Sequence, residues 1–103
     1  MLVVTTNEIP GKEFEVIGIA QGSTVQTVNA LRDIGAGLKT IIGGELKKYN
    51  EMMAHARDLA TQRMIEHAQT MGADAIVAMR YTSSELTQGA AEMMAYGTAV
   101  KFK

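Results

Sequence analysis

From Glu45 to Met71 the chain runs for 27 residues without a glycine or a proline, bounded by Gly43-Gly44 before it and Gly72 after it. The stretch is rich in Glu, Lys, Ala, Met, Leu and Gln, the residues that lose least on entering a helix. Gly72 stands where a helix places its left-handed capping residue. One long helix, spanning about 40 Å, is therefore the element around which the rest of the chain is arranged. At about 100° per residue, Leu46, Tyr49, Met53, Ala56, Ala60, Met64 and Met71 share one side of it. Met52 and Leu59 widen that stripe to about half the circumference, more than one sheet face needs.

The segments around the helix read as strands. Leu2 to Thr5 is a short apolar, β-branched run that stops at Asn7-Glu8-Ile9-Pro10-Gly11, and Phe14 to Gln21 is a second run, ended by Gly22-Ser23-Thr24. The short, turn-rich linker between them suggests an antiparallel hairpin. Val25 to Ile42 carries apolar residues near helical spacing, interrupted by Gly35 and Gly37, and reads as a short or broken helix. Ala73 to Thr82 and Glu92 to Phe102 supply two further strands, joined by the polar stretch Ser83 to Gly89. The expected architecture is a single α+β domain over residues 1–103, two-layered, with an antiparallel β-β-α-β-β sheet packed on one long helix.

Strand patterning bears on assembly. A sheet with one wet face alternates apolar and polar residues, and these strands do so poorly. In strict alternation Ala73, Ala75, Val77, Met79 and Tyr81 oppose Ile76 and Ala78. Met93, Ala95, Gly97 and Ala99 oppose Met94, Tyr96, Val100 and Phe102, while Phe14, Val16 and Ala20 oppose Ile17 and Ile19. One helix covers one face, so the other needs a partner. Copies of the same chain are the simplest partner, and Val25 to Ile42 folding back is the alternative. The eight methionines suit adaptable packing at either kind of contact.

Composition excludes several function classes. Ten Lys and Arg stand against eleven Asp and Glu, with no basic run of the kind that tracks a phosphate backbone or an anionic membrane. The absence of cysteine removes disulfides, thiolate zinc sites, iron–sulfur clusters and thiol nucleophiles together. No apolar run reaches the ~20 residues of a membrane span, and the first residues lack the basic start and apolar core of a signal peptide. A cytoplasmic location follows as the expectation.

Histidine and carboxylates remain as ligands for a divalent metal ion. Glu51, His55 and Asp58 sit at i, i+4 and i+7 within a wedge of about 60°, and Gln62 and Glu66 extend that ridge. The wedge lies opposite the apolar stripe, where solvated polar residues are the ordinary occupants of a helix. His67 falls inside the stripe and reads as a buried, hydrogen-bonded structural residue. Gly43-Gly44 before a helix offers N–H groups to an anion, but Glu45 in the first turn opposes one, and no phosphate-loop spacing is present. No Ser or Thr has an evident base near it in sequence. Arg32-Asp33, Arg57 and Arg80-Tyr81 place charge inside apolar segments, which suits structural ion pairs at subunit contacts, with the lining of a pocket as the alternative.

The combination of Arg32-Asp33-Ile34, Ile42-Gly43-Gly44-Glu45-Leu46 with Tyr49, Arg57 with Ala60 and Met64, Gly72-Ala73-Asp74-Ala75-Ile76-Val77, Arg80-Tyr81 with Glu85, and Ala95-Tyr96-Gly97-Thr98-Ala99-Val100 resembles the YbjQ family, a bacterial group labelled heavy-metal-binding. The resemblance spans nearly the whole chain. It implies a small α/β subunit assembled into a homo-oligomeric ring, a pentamer, and it adds no mechanism. Soft metals select thiolate or thioether donors, and in a chain without cysteine only the methionines supply them.

Three readings of function follow. The first is a non-enzymatic oligomer that binds a small ligand or ion between subunits, with Arg32, Asp33, Glu45, Tyr49 and Arg57 as the polar positions near the Gly-Gly hinge. The second is a metal-binding protein using Glu51, His55 and Asp58. The third is an enzyme whose site is built from two chains.

Overall fold

A computed structural model describes residues 1–27, 44–87 and 90–103. In chain order the elements are β1 (Leu2–Val3), β2 (Phe14–Thr27), α1 (Gly44–Thr70), β3 (Ala75–Thr87) and β4 (Ala90–Phe102). They form a four-stranded sheet in the order β1-β3-β4-β2 with α1 laid across one face. The α+β class, the two layers and the long helix follow the sequence reading. The stretch of Val25 to Ile42 expected to form a broken helix falls mostly outside the described residues, and its first part, Val25 to Thr27, belongs to β2.

The expected hairpin between the first two strands does not form. β1 pairs in parallel with β3, Leu2 against Ala75 and Val3 against Ile76, so the sheet is mixed rather than antiparallel. Pro10 and Gly11 explain the difference. Lys12 N–H donates to Ile9 C=O at 3.1 Å and Gly11 has a φ of 77°, the geometry of a type II turn with proline and glycine at its centre. Such a turn splays its flanks instead of closing a two-stranded ladder. The flanks cross the face of the sheet away from α1, where Val4 and Ile9 pack on Ala75, Val77 and Val100 together with Phe14 and Phe102. This N-terminal strap covers one end of the second sheet face.

The principal core lies between α1 and the sheet. Ala56, Ala60, Met64 and Ala68 face Ala20, Ile76, Met79, Met93, Ala95 and Ala99. Met64 and Ile76 here, and Val100 on the second face, are the largest fully buried side chains, each contributing about 2 kcal/mol through apolar burial. The helix ends as its sequence requires. Gly72 adopts a φ of 79°, Ala73 N–H reaches Ala68 C=O and Gly72 N–H reaches Gln69 C=O, both at 3.1 Å. These are the paired bonds of a Schellman cap, and Ala73 closes its apolar contact against the core.

Two bulges set which side chains meet α1. In β2 the pairing with β4 slips between Val16 and Gly18. In β3 it slips between Val77 and Arg80, where Ala78 takes a φ of 53°. Each inserts a residue and reverses the alternation beyond it. Ala75 and Val77 therefore sit on the face away from α1, while Ile76 and Met79 face the helix, which corrects the single face expected from strict alternation. Ile19, expected opposite Val16, shares its face, since their partners Thr98 and Val100 lie two residues apart on β4. The faces expected for the fourth strand hold. β3 and β4 are also longer than expected, because Ser83 to Thr87 continue the ladder instead of forming a loop.

Candidate functional site

Among the described residues, two grooves flank α1. The first, about 470 Å³, lies between the helix and β3 and is lined by Asp58, Thr61, Gln62, Ile65, Glu66, Gln69 and Tyr81. Helical spacing brings 58, 62, 65, 66 and 69 to one side of α1. Thr61 marks where that side meets the sheet. Its hydroxyl bonds to Arg57 C=O and to the Tyr81 hydroxyl, each at 2.7 Å. The carbonyl only accepts, so Thr61 spends its proton there and Tyr81 is the donor in the second bond. Gln62 Nε2 donates to Glu66 Oε1 at 3.3 Å. The floor thus presents two carboxylates and two amides, open to solvent.

The second groove, about 380 Å³, lies beside β2 and is lined by Gln21, Gly22, Ser23, His67 and Met94. Here the helix serves the outer edge of the sheet. Gln21 N–H donates to His67 Nδ1 at 3.1 Å, and Arg63 Nη1 donates to Ser23 C=O at 2.8 Å. His67 is hydrogen-bonded, as its place in the apolar stripe suggested, but it is half-buried rather than buried, and its partner is a strand backbone that sequence spacing did not reveal.

Glu51, His55 and Asp58 are all exposed along α1. Asp58 alone of the three lines a groove. Among the described residues no group of three or more His, Asp or Glu side chains is placed to hold a metal ion. Of the positions expected to bind a ligand, Arg32 and Asp33 lie outside the described residues, Glu45 and Tyr49 belong to the first turns of α1, and Arg57 is exposed. Arg80 is structural, since its Nη1 bonds to Thr5 C=O at 3.0 Å and to Met79 C=O at 2.8 Å, fastening the strap to the β3 bulge. Sequence reasoning passed over Thr61, Gln69 and Tyr81 as groove residues, since nothing in their spacing tells that a helix flank and a strand meet.

Among the described residues, apolar side chains are exposed on the sheet face away from α1. Val16 and Ile19 are each 69% exposed and Val25 is 52% exposed, with Tyr96 on the same face. No described helix is long and apolar enough to cross a membrane.

Similarity to other proteins extends over the full chain. A family model described as "Putative heavy-metal-binding" matches residues 1–103. A UPF0145 protein of Clostridium novyi (strain NT) is 54% identical over 98% of both chains. A UPF0145 protein of Vibrio parahaemolyticus is 53% identical over 98% of this chain and 97% of its own. A crystal structure from Pediococcus pentosaceus, of a protein with unknown function assigned to the DUF74 family, superposes with a TM-score of 0.71. It covers 100% of this chain and 98% of that one at 16% identity, a likeness of fold.

Proposed function

The chain belongs to the YbjQ family, and from that premise we propose that it works as a non-enzymatic homo-oligomer, a pentameric ring, holding a small ligand or ion between subunits. The observation that carries this reading is the exposure of Val16, Ile19 and Val25 beside Tyr96 on one sheet face. An apolar surface of that kind is costly in water and is relieved by a neighbouring copy. Arg32, Asp33, Glu45, Tyr49 and Arg57 are the proposed ligand-binding positions, as the polar residues near Gly43-Gly44 among those that carry the family resemblance. Native mass spectrometry of protein purified without added metal or chelator tests the reading. A ring carrying extra mass supports it, a ring of bare subunits removes the ligand, and a monomer removes the assembly.

The family's description favours a second reading, in which the small species is a divalent metal ion near Glu51, His55 and Asp58. The described residues of one subunit offer no three-donor cluster, so a complete ligand set here draws on a second copy or on residues outside the described ones. Elemental analysis of the purified oligomer separates this reading from the first.

A further inference from the structure

We propose that His67 is a proton-operated cap on the outer edge of β2. The inner edge of that strand is taken by β4 from Phe14 to Thr27, apart from the bulge at Ile17. The outer edge has main-chain groups at alternate residues, and two of them are closed by α1: Gln21 N–H by His67 Nδ1 and Ser23 C=O by Arg63. The two closures differ in kind. A guanidinium keeps its charge at every working pH, so the bond to Ser23 is constant. An imidazole accepts at Nδ1 only while that nitrogen has its lone pair, which places the proton on Nε2.

Histidine changes charge between about pH 5 and 8. Once His67 is protonated, Nδ1–H is a donor facing the Gln21 N–H donor, and the bond is lost. His67 lies in the last turn of α1, and Arg63, one turn earlier, caps the same edge. Gln21, Gly22, Ser23 and Met94, which line the groove with His67, contribute no charge. Glu66 lines the other groove. Acid therefore uncovers a strand N–H that neutral pH keeps closed, and a bare strand edge is a place where another strand can add. The device is independent of the proposed ligand and of the ring.

Amide hydrogen exchange read by NMR at about pH 7.5 and about pH 5 tests it, with rates corrected for the intrinsic pH dependence of exchange. Because Gln21 and Ser23 turn their main-chain groups outward, Ala20 and Gly22 turn theirs toward β4 and serve as internal references. Protection of Gln21 falls about tenfold at the lower pH, while Ala20 and Gly22 hold theirs. In His67→Phe the Gln21 amide is unprotected at both pH values. Unchanged Gln21 protection in the wild type, or retained protection in His67→Phe with the references intact, overturns the proposal. Should His67→Phe lose the reference amides as well, the wild-type ring nitrogens decide: Nδ1 protonated at neutral pH overturns it, and Nε2–H supports it.

Discussion

Gly22 of β2 lies directly beneath the backbone of α1 at Met64: a Cβ built on Gly22 would stand 2.6 Å from Ala60 O and from Arg63 C. Backbone meets backbone here, so no side chain can rotate away. The helix rests this close because the facing positions are small, with Ala56 and Ala60 above and Ala20 and Ala95 below. Gly22→Ala forces the two layers apart and is expected to cost about 3 kcal/mol, read as a lower urea midpoint with an unchanged slope.

The β3 bulge offers a contrast. Ala78 adopts a φ of 53°, a conformation that costs a residue with a Cβ about 1–2 kcal/mol. Ala78→Gly removes that cost and gives back about 0.5–1 kcal/mol to chain entropy, so it stabilises by about 0.5 kcal/mol. Across the bulge Gly97 is tight, with a Cβ there 2.6 Å from Ile76 Cγ2 and 3.2 Å from Met79 Cα. Gly97→Ala destabilises by about 2 kcal/mol. Thermal unfolding of the two variants moves the melting temperature in opposite directions.

Under the proposed assembly through the sheet face away from α1, its exposed residues are sensitive to charge. Val16→Lys and Ile19→Lys place an ammonium where a neighbouring copy is proposed to pack, and each is expected to reduce the proposed oligomer to monomers in sedimentation velocity. Both positions are 69% exposed in the single chain, so the monomer's own packing is untouched. The wild type melts at a temperature that rises with concentration, as mass action demands; melting that is indifferent to a hundredfold dilution counts against the interface.

The metal and ligand readings part at His55. Under the metal reading His55→Ala lowers the metal content of the purified protein by about tenfold or more. Under the ligand reading it leaves any retained mass unchanged, while Arg57→Ala lowers it. The imidazole is exposed, and stability changes by less than about 0.5 kcal/mol.

The long helix was legible because composition, glycine boundaries and period all agreed over seven turns. Strands were found, but their faces were misread wherever a bulge intervened. Alternation counted from Ala73 put Val77 and Met79 together, and the extra residue at Ala78 separates them. Nothing in the letters Val-Ala-Met announces that insertion. Ser83 to Thr87 looked like a loop because their composition is polar, yet a hairpin arm open to water tolerates such residues. The polar ridge of Asp58, Gln62 and Glu66 was visible from spacing alone. That Tyr81 closes the groove beside it depends on where β3 runs under the helix, a tertiary fact that local sequence does not encode.

The parallel pairing of Leu2 with Ala75 has a kinetic consequence. It joins the second residue to one more than seventy positions later, and closing so long a loop before other contacts exist is entropically unfavourable. The β3–β4 hairpin and its packing on α1 involve shorter separations and are expected to form first. β2 joins β4 across a separation as long, Phe14 with Phe102. As a strand, however, β2 has 14 residues against 2 for β1, so the strap is expected to dock last, held by Arg80 and by the main-chain bonds to Thr6 and Val4. By the same logic it is the first part to be released, so partial unfolding of this chain begins at its N-terminus and uncovers Val77 and Val100 while the helix face is still intact.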